Sequence, residues 1–335
     1  MRAQQRRKAT YSQADVDNIL RETTRMPGDR HWGQEQFEKD WHANAVNFPF
    51  SARAPSNSPD LWLPPELWIH IVQLLDIESV LHLSQSMPWA RHFISDMWEC
   101  QRIRNHAGVA LWVLLRAGMA RHYAIGDLHS ALTTANCIDC GNFAGFLYMP
   151  TLARCCLFCA QRKRRPELQV CLLTQVSKSF GISVARLVKR LPVFTTLPHG
   201  KDSPGGSRRR VRRRRVVGQS HVLSVLGKVI DLTAMRDDMN GTCFRLSRLL
   251  IKLPYFNSCS GTTEPVRYCK GCGNIDRKFI GYGRAGFMAH FGQCQGAQDM
   301  WNTSDALHRS KRARTEGEPG GQATSYDGTF SGQQR

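Results

Sequence analysis

Leu61-Trp-Leu-Pro-Pro-Glu-Leu-Trp-Ile-His-Ile-Val-Gln-Leu-Leu-Asp76 is the stretch on which the reading of this chain turns. Pro64 and Pro65 suit the first turn of a helix, where a missing N–H costs little. Glu66 in that turn complements the helix dipole. Leu67, Ile71, Leu74 and Leu75 follow the spacing of one buried helical face. Trp68, Ile69 and Val72 lie on the other sides, so the helix is apolar around most of its circumference. Asp76 can N-cap a second helix carrying Val80, Leu81 and Leu83, and Pro88 interrupts it. A third helix presents Ala90, Phe93, Ile94 and Met97 on one face, with Trp98 beside them. Such a unit of about 45 residues cannot bury two apolar faces alone. The surplus surface meets either segment 107–198 or another protein, and periodicity does not choose between them.

These residues carry a resemblance. Leu63-Pro64-Pro65-Glu66-Leu67, Ile71, Leu74-Leu75-Asp76, Ser79-Val80-Leu81, Leu83-Ser84-Gln85-Ser86 and Trp98 together resemble an F-box over roughly residues 61–105. One departure is Met87-Pro88-Trp89, where many F-boxes place a basic residue before the aromatic. The resemblance implies a three-helix unit that docks the Skp adaptor of a cullin-based ubiquitin ligase. It places Leu63, Pro64, Leu67, Ile71 and Leu75 at or beside that interface.

The chain has 335 residues, of which 12 are cysteine. Its start, Met-Arg-Ala-Gln-Gln-Arg-Arg-Lys, is basic but leads into no apolar h-region, so a secretory signal is not expected. In a reducing compartment, cysteines point to metal or free thiols rather than disulfides. Cys137-Ile-Asp-Cys140-Gly141 and Cys156-Leu-Phe-Cys159 are separated by a 15-residue spacer. Paired C-x-x-C knuckles at that distance are a four-thiolate zinc signal. Gly141 permits the positive φ that such a turn often needs. Cys155 competes with Cys156, but it would make a less regular knuckle. The spacer, with its aromatics and Pro150-Thr151, reads as a β-hairpin. Cys269-Lys-Gly-Cys272-Gly273 repeats the knuckle, and His290-Phe-Gly-Gln-Cys294 follows. On one helix, His290 and Cys294 would share a face and complete a site of three cysteines and one histidine. Cys100, Cys171, Cys243 and Cys259 read as buried thiols. A redox role would need a βαβ setting, which is not visible. Both ligand sets are closed, and no H-E-x-x-H, P-loop, dinucleotide fingerprint or nucleophile elbow is present, so two structural zinc ions and no catalysis are expected. Cys159 and Cys269 are 110 positions apart, which disfavours one cross-braced domain.

The wider chain extends the resemblance. Gly145-Phe-Leu-Tyr-Met-Pro-Thr151, Arg154-Cys-Cys-Leu-Phe-Cys159, Lys178-Ser-Phe-Gly-Ile-Ser183, Leu191-Pro192, Thr196-Leu-Pro198 and Phe287-Met-Ala-His290 through Trp301 are similar to a group of fungal F-box proteins. This implies a substrate receptor of a Skp–cullin–F-box ligase, with no bond chemistry of its own and an unknown protein target. From the residues themselves, Leu168–Leu173 reads as a strand. Ser183 can cap a helix through Leu191, and Lys178–Val188 reads as packing of the zinc domain.

The net charge is +19, but it is unevenly placed: +7 lies in 199–219, +4 in Arg162–Arg165, and +4 on Arg309, Lys311, Arg312 and Arg314. Arg208, Arg209, Arg210, Arg212, Arg213, Arg214 and Arg215 form one run after a turn-rich lead-in. Three readings stay open: a solvated loop, nuclear import, or contact with nucleic acid. Seven Arg on phosphates would give a log–log salt slope of about −6. The longest apolar run, Val109–Leu115, is too short to span a bilayer. The expected class is α+β, divided into a disordered 1–60 in which Gln13–Arg25 allows a short helix, an F-box at 61–106, a helical and zinc-ribbon-like 107–198, a flexible basic insertion at 199–219, a second zinc region at 220–303 and a disordered tail at 304–335. The expected location is nucleus or cytoplasm. The runner-up function is a nuclear nucleic-acid-binding zinc protein that uses the Arg-rich segment.

Overall fold

The computed structural model describes residues 11–26, 35–44, 63–162, 165–196, 214–228, 249–273 and 279–304. Over these the fold is mixed α+β, mostly helical, with short antiparallel sheets. Ser12 and Asp15 form a capping box that starts α1 (Gln13–Thr23). The chain continues directly into β1 (Thr24–Arg25). In α2 (Glu35–Asn44), the buried Trp41 lies on the backbone of Gly108, leaving no room for a side chain there. The expectation of disorder across 1–60 therefore fails for 11–26 and 35–44. Ile19, Leu20 and Trp41 bury against elements far along the chain, which local composition cannot show. Residues 1–10 and 45–60 lie outside the described residues.

Pro65 opens α3 (Pro65–Leu74), with Pro64 at its N-cap. Asp76 caps α4 (Ile77–Ser86), accepting from the Ser79 amide at 2.9 Å and the Ser79 hydroxyl at 2.6 Å. Pro88 stands in the first turn of α5 (Pro88–Asp96), and α6 (Trp98–His106) follows at once. The periodic stripe of α3 is not the buried one. Only Val72 is buried, with Trp68 and Leu75 half-buried on the same side, whereas Leu67 and Leu74 are exposed and Ile71 is half-buried. Trp68 meets Trp89 edge-on at 4.9 Å, and Trp89 stacks on Phe93 at 5.3 Å. The aromatic side of α3 thus wins the internal contacts, and the leucine stripe is left over.

The apolar α7 (Gly108–Ala117) ends at Gly118 with φ 71°, and α8 (Ile125–Thr133) follows. Strands β2 (Phe146–Tyr148) and β3 (Ala153–Cys155) form the expected hairpin. Next come α9 (Leu157–Arg162), β4 (Val170–Leu172), α10 (Leu173–Phe180), α11 (Val184–Arg190), β5 (Phe194–Thr195), β6 (Arg215–Gly218) and α12 (Gln219–Leu226). The strand expected at Leu168–Leu173 is trimmed at both ends by the Pro166–Leu168 turn and by the start of α10. Ser183 does precede α11, but its side chain makes no capping bond. The remaining elements are β7 (Leu250–Lys252), β8 (Tyr255–Asn257), β9 (Thr262–Glu264), β10 (Tyr268–Cys269), α13 (Arg284–Phe291) and a helix over 295–304.

The sheets cross the expected boundaries. β7 pairs with β2, so 220–303 is not a module apart from 107–198. β6 lies between β4 and β5, with Val216 and Val217 fully buried, so the basic segment ends inside a sheet rather than as a free loop. Arg214 and Arg215 belong to that structure. Arg208, Arg209, Arg210, Arg212 and Arg213 lie outside the described residues, as do Cys243 and 305–335. Three apolar cores result. One runs from Trp41 to Phe256 and takes in the first cysteine cluster; a second joins Cys171, Leu173, Val176, Leu187, Leu191, Val217 and Val222; a third joins α1 to the second cluster. Among the described residues, no helix is long and apolar enough to cross a membrane.

Candidate metal centres

The first centre is built on a turn. The Cys137 amide donates to the Asn142 carbonyl at 2.8 Å, and the Gly141 amide donates back to the Cys137 carbonyl at 3.0 Å. Gly141 has φ 70°, the left-handed geometry its place after the second cysteine anticipated. The Ile138 amide bonds the Arg154 carbonyl at 3.0 Å, tying the turn to β3. Cys156 leaves the end of β3, and Cys159 lies in α9. The ligand atoms of Cys137, Cys140, Cys156 and Cys159 all lie within 4.8 Å of one another. Cys155 is fully buried in the first core and stands outside the cluster, which settles the choice for Cys156.

The second centre gathers more distant parts. Cys269 ends β10, which pairs with β1 so that Thr24 faces Cys269. The Lys270 ammonium donates to the Glu22 carbonyl at 2.8 Å, at the C-terminal end of α1 where a cation is favoured. Gly271 packs backbone to backbone on Gly296 and Ala297, where no side chain fits. His290 comes from α13, but that helix stops at Phe291. The expected shared helical face is therefore not how His290 and Cys294 meet: Cys294 sits in the turn between α13 and the 295–304 helix. Cys269, Cys272, His290 and Cys294 nevertheless place their ligand atoms within 4.8 Å of one another.

The spacing fits a tetrahedral ion. Thiolates about 2.3 Å from a common centre lie about 3.8 Å apart. Cys140 and Cys156 are 3.7 Å apart, Cys269 and Cys294 3.8 Å, and Cys272 and Cys294 4.0 Å. His290 Nε2 is 3.3 Å from the Cys272 sulfur. Its Nδ1 faces the Tyr282 hydroxyl at 3.3 Å, and the two rings stack at 4.6 Å. Tyr282 thus orients the ligand ring from behind, in the manner of outer-shell partners in metal sites. Sequence reasoning missed it because the contact depends on tertiary stacking. It also missed the Gly271–Gly296 contact.

The electrostatics suit a cation. A hydrogen bond from Cys156 pulls Cys137 down to about 4, while burial pushes Cys159 up and lifts Cys269 to about 12. Four thiolates cannot crowd together unless a positive charge joins them. Four protein ligands leave a tetrahedral ion no open position, so each centre ties chain segments together. The first joins the 137–140 turn to β3 and α9, and the second joins β10 to α13 and the helix beyond it.

The expected adaptor residues are placed as follows: Leu63, Pro64 and Leu67 are exposed, and Ile71 and Leu75 are half-buried. Compared with protein-family models, curated proteins and solved structures, the chain matches none.

Proposed function

We propose that the chain is a non-catalytic substrate receptor of a Skp–cullin–F-box ubiquitin ligase. It docks the Skp adaptor through 61–106 and offers its metal-stapled region to an unknown protein target. The observation that carries this reading is the uncovered apolar side of α3. Leu67 is 47% exposed and Leu74 87%, on one side of the helix, and Leu63 just before it is 37% exposed, although the helix sits within an otherwise well-buried bundle. Exposed leucines grouped on one short helix mark a surface that another protein covers. The Leu-Pro start, the Asp76 cap and the Pro88 break add the order of elements that the F-box resemblance implies. The two ions are zinc, chosen by thiolate and imidazole ligands, and they are structural. The receptor's contribution is proximity: it raises the effective concentration of its target near the charged ubiquitin carrier.

Co-purification with the Skp adaptor tests this reading. Leu67→Asp with Ile71→Asp should abolish capture, because the adaptor would have to desolvate two carboxylates in an apolar contact. Leu74→Asp, at the most exposed position, leaves the fold intact and should weaken capture on its own. Adaptor binding retained by the double variant would reject this interface.

A further inference from the structure

The unit built on the second core has a topology and a charge that neither the metal centres nor the adaptor surface uses. Residues 165–196 and 214–228 contain eight Lys and Arg against only Glu167, and so hold +7 of the chain's +19. The second core contains none of the eight metal ligands, so the sequence-based reading of Lys178–Val188 as zinc-domain packing is corrected.

The chain order here is β4, α10, a turn at Gly181 with φ 64°, α11, then β5 and β6. Two short helices joined by a turn of three residues form a helix-turn-helix. Strands β5 and β6 follow as an antiparallel pair, and the sheet order is β4-β6-β5, all antiparallel. Gly181 supplies the left-handed residue that ends α10 and turns the chain into α11.

The second helix is nearly bare. Leu187 is its only buried residue, with Val184 and Leu191 turned to the same core. Ala185, Arg186, Lys189 and Arg190 are exposed, and the three cations stand at i, i+3 and i+4, on one face. Among the described residues, none of Lys178, Arg186, Lys189, Arg190, Arg214 and Arg215 has an acidic partner. Arg214 and Arg215 stand at the start of β6, fixed by the Thr196 amide on the Arg214 carbonyl at 2.9 Å.

We infer that residues 165–196 and 214–228 form a duplex-DNA-binding unit, with α11 entering the major groove and Arg214 and Arg215 on flanking phosphates. The B-form major groove, about 12 Å wide, admits one helix. The deep, narrow major groove of A-form RNA does not, which selects DNA. Arg186, Lys189 and Arg190 supply groove and phosphate contacts, and the exposed Ala185 and Val188 offer small apolar groups of the kind that meet thymine methyls. This stands independently of the ligase reading.

The test uses the zinc-loaded full chain and fluorescence anisotropy with mixed-sequence duplex DNA, single-stranded DNA and duplex RNA, between about 50 and 200 mM salt. Arg186→Ala, Lys189→Ala and Arg190→Ala combined should weaken duplex DNA binding at least tenfold. The log–log salt slope should become shallower by about 2 to 3. All three residues are exposed, and unchanged circular dichroism and zinc content will show that the variant is folded. Replacing Arg208, Arg209, Arg210, Arg212 and Arg213 with Gln should lower overall affinity but keep the preference for duplex DNA over the other two. Leu67→Asp should leave DNA binding unchanged. The inference is overturned if the wild-type chain binds no duplex DNA, or if the α11 variant binds as well as wild type. It is equally overturned if all three nucleic acids bind alike, or if the unit captures only an acidic polypeptide.

Discussion

Cys140 and Cys272 occupy equivalent places in two centres that rest on different cores. Each substitution to Ser should therefore remove one of two zinc equivalents and leave the other, as metal analysis of the purified chain will show. Because metal binding and folding are coupled, each should also lower thermal stability. A loss of both ions from either variant would mean the centres are not separate. The ligand sets were legible because a knuckle is local: two intervening residues bring both sulfurs to one point whatever surrounds them. The manner in which Cys294 arrives was not legible, because a four-residue interval fits an unbroken helix as well as the observed break after Phe291. Tyr282 and the Gly271–Gly296 contact were equally hidden, each depending on segments that meet only in the folded chain.

Among the elements, α1 is the one whose role was least expected. It lays Ile19 and Leu20 against Phe287, Phe291 and the second cluster, and β1 pairs with the strand that ends at Cys269. Removing residues 1–26 should strip about 2–5 kcal/mol of apolar packing per large buried side chain from that core. The truncated chain should release zinc from the second centre at lower chelator concentration, with the first centre unaffected; equal release from both would contradict this. The helix was readable in principle, since Ser12 and Asp15 make a capping-box pattern. Helices α4, α5 and α11 were readable from Asp76, Pro88 and the Ser183-to-Leu191 run. Strands of two to four residues were not, apart from the β2–β3 hairpin and β4, because most of their partners come from remote sequence. In α3, periodicity named Leu67, Ile71, Leu74 and Leu75 as the buried face, and the structure buries Val72 beside the aromatic contacts of Trp68 instead.

At the scale of the whole molecule, four histidines report on the packing. Burial holds His106, His122, His129 and His221 below the ordinary imidazole value of 6.5. The unfolded chain takes up protons near that pH which the folded chain refuses, so stability is full above it and declines as pH falls. The thermal midpoint should drop between pH 7.5 and 5.5, and His129→Gln should flatten part of the decline; a midpoint independent of pH would count against it. Zinc content measured in parallel separates this from acid release of the metals. The longest-range consequence lies in the pairing of β2 with β7, Leu147 facing Ile251. A nascent chain emerging from the ribosome at about 5–20 residues per second must carry the first hairpin unpaired on one edge until the third strand is made. During that interval the half-built sheet is a sticky border, and a premature stop codon between residues 155 and 250 would make the exposure permanent.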